Sequence, residues 1–191
     1  MKKILIGTHN RGKFREIAYL ISKKFKKISP VTLKIKSPKE TGKTFESNSR
    51  LKANFFSKFV DFPVISDDSG LCVKSLKNTP GVYSARLAKK KGGFYNAMKY
   101  ILKKLKLKKN RSAFFVCNLT YKSQDGKLIN VQGKIYGKIS NKILGKNGFG
   151  YDPIFIPNSY RETYGQMKKR EKMKIDHRYQ AFKKLRKKIN I

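Results

Sequence analysis

The chain has 191 residues, of which 39% are hydrophobic and 12% aromatic, and 47 lysines and arginines against 11 acids give it a formal net charge of +36. This length suits one domain over residues 1–191, and the many aromatic residues exclude a disordered chain. No apolar run approaches the ~20 residues of a membrane span, and the run after MKK is shorter than the ~7–15 residues of a secretory signal core. We therefore expect a cytoplasmic protein, with Cys72 and Cys117 reduced.

The positive charge raises one functional hypothesis directly, a nucleic-acid-binding protein without catalysis. Two features weaken it. Lysine outnumbers arginine 38 to 9, whereas bidentate phosphate recognition favours arginine, and the lysines are spread along the chain. Biased codon usage would also produce such a composition, so we expect nucleic-acid binding that is at most non-specific.

Strands and helices alternate along the first half of the chain. KKILIG is typical of a short buried strand, and a strand is expected near 31–36, a helix from about 44 to 60, and a strand, PVISDD, that ends at its two acids. A helix directly follows the first strand, because apolar residues recur at helical spacing. These are Phe14, Ile17, Ala18, Ile21 and Phe25.

The second half contains a lysine-rich helix over about 93–107 and two strands, SAFFVCNLTY and LINVQGKIYGKI, on either side of an Asp125-Gly126 hairpin turn. A last helix starts near Asp176, and its predicted buried residues are Ile175, Tyr179, Phe182, Leu185 and Ile189. Together these elements predict an α/β fold with a mixed sheet and flanking helices.

The stretch GTHNRGKF nearly matches a phosphate-binding P-loop. Gly7, four residues, Gly12 and Lys13 have the right spacing, but Phe14 stands where the motif requires a Ser or Thr that holds magnesium. A strand, a turn and a helix start still make a natural anion site, because free N–H groups and the helix dipole face the ligand. The candidate residues are Thr8, His9, Asn10, Arg11, Gly12 and Lys13. An ordinary strand-to-helix turn is the alternative.

Two further motifs supply charged groups. Asp67 and Asp68 end the predicted strand and precede Ser69. Open α/β sheets place ligands at the carboxyl ends of their strands, so these carboxylates could hold magnesium. A turn-capping role is the alternative. On the 44–60 helix, Asn48 and Lys52 fall within the apolar arc. A buried lysine is costly unless its ammonium finds a partner. Either both groups reach a polar cleft that holds the phosphates, or Lys52 extends back to solvent near the helix end. The arc comprises Leu51, Phe55, Phe56 and Phe59.

Two C-terminal motifs are suited to an aromatic, carbonyl-bearing ligand. In GKNGFGYDPIF, Phe149 and Tyr151 could flank a flat ring and Asp152 could accept from its N–H groups; a turn that leads into a strand is the alternative. In EKMKIDHRYQAF, Asp176 is a good N-cap, so His177 and Arg178 lie in the first helical turn, where cations oppose the dipole unless an anion or carbonyl is near. A solvated start to a basic helix is the alternative.

In this order the motifs resemble those of one family, the inosine/xanthosine triphosphate pyrophosphatases, nearly from end to end. The resemblance includes THNRGKFREI, ETGKTFESNSRLKA, DDSGLCVKSLKNTPGVYSARLA, GFGYDPIF and EKMKIDHR. It implies a two-lobed α/β domain around a long mixed sheet, a homodimer, a nucleotide cleft between the lobes, and hydrolysis of inosine, deoxyinosine and xanthosine triphosphates (ITP, dITP, XTP) to the monophosphate and pyrophosphate.

The resemblance also implies roles for individual residues. Thr8 to Lys13 would hold the phosphates with Lys52 nearby, and Ser69 would touch the phosphates or sugar. Asp68 would bind Mg²⁺ and act as the catalytic base, with Glu40 as a further metal ligand. The purine would contact Phe149, Gly150, Tyr151, Asp152, Lys172, His177 and Arg178.

The sequence departs from the family pattern most notably at Asp176, where Ser is usual before His-Arg. This extra carboxylate could pair with Arg178 or contact the base and so shift base preference. A related pyrophosphatase group that acts on modified pyrimidine nucleotides is a further alternative, although GFGYDP and DHR argue against it.

Overall fold

A computed structural model describes residues 1–189 and residue 191 as an α/β fold built on one mixed sheet. The strand order is β2-β1-β3-β5-β6-β7, with the short β4 paired to β3. β1 pairs in parallel with β2 and β3, whereas β3 with β4 and β6 with β7 are antiparallel. The strands are β1 Lys2–Ile6, β2 Phe25–Ile28, β3 Val64–Val73, β4 Thr79–Pro80, β5 Ser112–Lys122, β6 Leu128–Ile139 and β7 Phe155–Pro157.

Six α-helices accompany the sheet within the described residues. They are α1 Arg11–Leu20, α2 Phe45–Phe56, α3 Ser84–Lys90, α4 Phe94–Lys104, α5 Lys169–Ile175 and α6 His177–Arg186. None of the helices described is long and apolar enough to cross a membrane. The α/β class, the mixed sheet and the flanking helices predicted from the sequence are thereby confirmed.

The chain divides into two compact units. Unit 1 comprises Met1–Asp68, Cys117–Gly133 and Arg178–Ile191, and unit 2 comprises Ser69–Val116 and Lys134–His177. Three strands, β3, β5 and β6, contribute residues to both units. Both cysteines are free, as expected, and both are buried.

Unit 1 is organised around the buried strand β1 and the helices that cover it. Ile4 and Ile6 of β1 are fully buried and share a core with Ile17 of α1 and Phe182 of α6. α1 starts at Arg11 because the Asn10 side chain accepts a hydrogen bond from the Lys13 N–H at 3.0 Å. α2 starts with a capping box between Thr44 and Ser47.

Unit 2 has its own core. The apolar face of α4 packs against residues of β3, β5 and β7, and Phe115 lies edge-on to Phe155 with ring centroids 4.8 Å apart. The buried residues contributed by α4 are Ala97, Met98 and Ile101.

Three predicted boundaries are wrong. The strand expected near 31–36 lies instead at Phe25–Ile28, so Phe25 belongs to β2 and not to the first helix. Residues 30–35 turn, with Lys34 at a φ of 55° and the Ile35 N–H bonded to Pro30. α2 ends at Phe56, which leaves Phe59, predicted to be buried, 54% exposed.

The strand that carries the acid pair is longer than predicted. β3 does not end at Asp68 but continues to Val73, because Cys72 and Val73 pair with β4. Asp67 and Asp68 therefore lie in mid-strand, and successive side chains of a strand point to opposite faces. The acid pair serves two different sets of partners for this reason, as the site shows.

Candidate active site

The turn between β1 and α1 places the predicted phosphate-binding residues in unit 1. Gly7 directly follows the strand at a point where an added Cβ would collide with Ser66 and Phe56, so only glycine fits without rearrangement. A concavity of about 230 Å³ lies over the turn. Its lining residues are Thr8, His9, Asn10, Arg11, Phe14, Arg15, Ser29, Val31 and Thr32. The ten-residue helix α1 begins at this turn. A helix N-terminus is the element on which such an anion site depends.

Lys13, in the first turn of α1, is paired with Asp67. Its Nζ lies 3.1 Å from Oδ2 of the carboxylate, which is fully buried. Burial on its own would raise the pKa of Asp67, but the charges of Lys13, Arg178 and Lys52 outweigh it and lower the pKa to about 2. Asp67 is therefore a permanent anion that holds Lys13 in place.

Lys52 lies between two carboxylates of the same unit. Its Nζ is 2.6 Å from Oε1 of Glu40 and 4.0 Å from Oδ1 of Asp68. Only 4% of Lys52 is exposed, so the alternative in which it extends to solvent is wrong. Burial opposes its charge, yet Asp67, Asp68 and Glu40 together raise the pKa of Lys52, which remains an ammonium.

Asp68 differs from its neighbour Asp67 in its environment. Burial raises the pKa of Asp68, and Lys13 and Lys52 offset this only in part. Asn48, on the inner face of α2, donates a hydrogen bond from Nδ2 to Oδ2 of Asp68 at 3.1 Å and thereby orients the carboxylate. A raised pKa suits a carboxylate that accepts a proton during a reaction.

Arg178 completes a second buried pair in unit 1. Its Nη1 lies 2.5 Å from Oε2 of Glu16, and its Nε lies 3.7 Å from Oδ2 of Asp67. Arg178 is 2% exposed, so the reading of α6 as starting in solvent is wrong. α6 begins at His177, which places Asp176 immediately before it, as predicted for an N-cap.

Glu16 is a site residue to which sequence reasoning gave no role. Glu16 pairs with a residue 162 positions away, which no local pattern reveals. A signal was nevertheless present, since Glu16 follows Lys13 by three positions and so shares its helix face.

Unit 2 contains the predicted purine residues except Arg178, and three of them form a compact cluster. Lys172 Nζ lies 2.6 Å from Oδ2 of Asp152 and 4.8 Å from the centre of the Phe149 ring. The Phe149 N–H donates to the same carboxylate oxygen at 2.8 Å. Gly148 has a φ of 75°, and a Cβ there would collide with Asp152, so the loop requires glycine at this point. Asp152 and Lys172 are both buried, which makes this pair a rigid donor and acceptor.

The other candidate site residues of unit 2 have different surroundings. Tyr151 is 3% exposed, and its hydroxyl donates to the Ser84 carbonyl at 2.9 Å. Gly150 has a φ of 67°, and Ser69 is half-buried. His177 is stacked on Phe115 with ring centroids 4.8 Å apart and an angle of 11°.

Comparison with known proteins assigns these features to a family. The sequence model of the Ham1 family matches residues 4–188 of the chain. The chain belongs to the Ham1 family. A dITP/XTP pyrophosphatase from Exiguobacterium sp. is 40% identical over 187 residues, which cover 96% of this chain and 94% of the relative.

Solved structures of Ham1 proteins agree with this assignment. The Staphylococcus aureus Ham1 protein superposes with a TM-score of 0.86 at 34% identity, covering 97% of both chains. A HAM1 protein from Coxiella burnetii gives a TM-score of 0.87 at 33% identity, covering 97% of this chain and 96% of that one. The family resemblance inferred from the motifs is confirmed.

Proposed function

We propose that this Ham1 protein hydrolyses non-standard purine nucleoside triphosphates, namely ITP, dITP and XTP, to the monophosphate and pyrophosphate. The names of its relatives support the substrate class. The observation that carries the proposal is the arrangement in unit 1, where Lys52 Nζ lies 4.0 Å from Oδ1 of Asp68 and Lys13 Nζ lies 3.1 Å from Oδ2 of the adjacent Asp67. Two cations and a base of raised pKa are the groups that such a hydrolysis needs.

The triphosphate would be held by the turn at residues 8–13 together with Lys52. Phosphoryl and nucleotidyl transfer depends mainly on positioning and charge neutralisation, so no covalent nucleophile is required. Asp67 and Glu40 fix the directions of Lys13 and Lys52 before substrate arrives. Ser69 would contact the phosphates or the sugar.

Asp68 would serve as the general base. Its carboxylate is held by Asn48, and its raised pKa brings it closer to the pH at which it must accept a proton from the attacking water. Asp67, with a pKa near 2, is a poor proton acceptor and has the electrostatic role instead. Two adjacent acids thus differ in function because their surroundings differ.

The proposal includes Mg²⁺ with Asp68 and Glu40 as its protein ligands. Within the described residues, no three His, Cys, Asp or Glu side chains group closely enough to bind a metal alone. Magnesium in nucleotide sites needs only one or two carboxylates, since water and substrate phosphates complete its shell. Asp68 and Glu40 both lie at Lys52 and fit that requirement. When bound, the ion would neutralise phosphate charge and acidify water.

The purine would contact Phe149, Asp152 and Lys172, with Arg178 and His177 as further groups. Arginine and lysine are donors only, so they suit the O6 carbonyl of hypoxanthine or xanthine and not the 6-amino group of adenine. Mismatched polar groups at such a site can give large discrimination. Guanine also carries O6, so its rejection must depend on the C2 side of the base.

A cytoplasmic homodimer is part of the same proposal.

A panel of triphosphates with Mg²⁺ tests the proposal. ITP, dITP and XTP should be cleaved to the monophosphate and pyrophosphate, with adenosine and guanosine triphosphates turned over more slowly. Release of inorganic phosphate in place of pyrophosphate would contradict the reaction. Preferential cleavage of modified pyrimidine triphosphates would move the protein to the pyrimidine-specific group, and RNA binding without any turnover would favour the non-enzymatic alternative.

A further inference from the structure

One surface of unit 2 has an unusual distribution of charge. No acidic residue occurs between Asp68 and Asp125, and within that stretch α3, α4 and the turn after them carry ten cations. We call this surface the α3–α4 face. Its cations are Arg86, Lys89, Lys90, Lys91, Lys99, Lys103, Lys104, Lys106, Lys108 and Lys109. All except Lys91 are exposed. The lysines are spread along the chain as the sequence suggested, but the acids that would offset them are missing here.

Aromatic rings lie among these cations. Lys99 Nζ is 4.6 Å from the centre of the Tyr95 ring, and Lys91 Nζ is 4.2 Å from that of Tyr100. Tyr95 is 57% exposed, so one side of its ring is open to a ligand. A groove of about 580 Å³ lies on the same face, lined by Tyr100, Lys103, Lys104, Leu107 and Lys108.

The composition of the face favours one class of occupant. A second copy of the chain is disfavoured, because a symmetric contact would bring the same lysines together. Lysines along a groove suit a phosphate backbone, and the exposed Tyr95 offers a ring on which a base stacks irrespective of sequence. A lipid headgroup or an acidic peptide would use the charges but not the rings.

We propose that the α3–α4 face binds single-stranded nucleic acid without sequence preference. Lys103, Lys104 and Lys108 contact successive phosphates along the groove, and a base stacks on Tyr95. None of these residues has a role in the proposed nucleotide hydrolysis, so the two functions can be tested separately. Turnover of ITP by each variant below should equal that of the unaltered protein.

The charge contribution is tested on the full chain with a fluorescent 20-nucleotide oligouridylate. The triple variant Lys103→Glu, Lys104→Glu, Lys108→Glu is compared with a control triple, Lys23→Glu, Lys24→Glu, Lys26→Glu, whose lysines are also exposed and belong to unit 1. Both change the net charge equally. The face variant should bind at least tenfold more weakly than the control at low salt. Its plot of log affinity against log salt should be shallower by about 2, at ~0.7 per phosphate contact. Equal losses would overturn the proposal.

The stacking contribution is tested with Tyr95→Leu, which leaves the charge unchanged. Binding of the oligouridylate should weaken about fivefold or more with an unaltered salt dependence. Wild-type affinity in this variant would overturn the proposal. Vesicles of phosphatidylglycerol provide the comparison with a membrane surface: tighter binding to vesicles than to oligouridylate, lost in the face variant, would also overturn it.

Discussion

Replacing Asp67 with Asn removes the fully buried charge that contacts Lys13 and lies 3.7 Å from Nε of Arg178. The pKa of Asp67 is lowered from 3.8 to about 2 because these cations outweigh the effect of burial. At 1.36 kcal/mol per pKa unit, the ionised carboxylate contributes about 2 kcal/mol to the free energy of unfolding at neutral pH. Since the pKa is lowered in the folded state, that contribution is complete above about pH 5 and is lost progressively as the pH falls towards about 1.

Urea unfolding at pH 7 and at pH 3 measures this effect. The stability difference between wild type and Asp67→Asn should shrink by about 1 kcal/mol between the two pH values, because half of the ionisation contribution is gone at pH 3. The absolute cost at either pH also includes cations that have lost their partner, so the change with pH is the diagnostic quantity. Asp61→Asn, at an exposed carboxylate, is the matched control. A difference that is the same at both pH values would refute the reasoning.

Three further predictions concern the same site. Glu16→Gln should lower the free energy of unfolding by about 2–4 kcal/mol, because it leaves the buried charge of Arg178 with less compensating negative charge. Glu46→Gln, in a half-exposed pair, should lower it by less than about 0.5 kcal/mol. Equal losses in the two variants would contradict the account. Asp176→Ser should keep the Mg²⁺ dependence but change the ratio of turnover on inosine and guanosine triphosphates, and an unchanged ratio would exclude a role in base selection. As the pH is lowered, the kcat/KM for ITP should fall at a pH above the ordinary carboxyl pKa of 3.8, since burial raises the pKa of Asp68. Lys52→Met should move that fall to higher pH, because it removes a charge that lowers the same pKa. An unshifted profile in Lys52→Met would show that Lys52 does not act on the base.

Local patterns predicted the elements that have clear apolar signals. β1 was found at its apolar run, and α4, β5 and β6 were found close to their expected positions because each has an apolar period, whereas α2 begins as expected but ends at Phe56. Lys52 was recognised as anomalous because it fell within the apolar arc of α2, and the structure shows it buried beside Glu40. The helices α3 and α5 were missed, since seven residues are too few for a helical period to stand out.

Long-range pairing explains the rest. Nothing local distinguishes Asp67, which is paired with cations, from Asp68, the proposed base, since their difference depends on Lys13, Arg178 and Asn48, which come from three separate segments. The end of β3 could not be predicted for a similar reason. Ser69 and Gly70 indicate a turn on their own, but pairing with β4 extends the strand beyond them. Residue types at a turn can indicate chemistry, but only tertiary contacts assign the roles.

The central claim is that Asp68 is the base that acts on a triphosphate held by Lys13 and Lys52. Pyrophosphate release from ITP by Asp68→Asn, measured at saturating Mg²⁺ with the thermal unfolding midpoint followed in parallel, tests it most directly. Loss of a general base predicts a kcat lower by roughly 10²–10⁴-fold in a variant that remains folded. A folded Asp68→Asn protein that releases pyrophosphate within about threefold of the wild-type rate would contradict the claim.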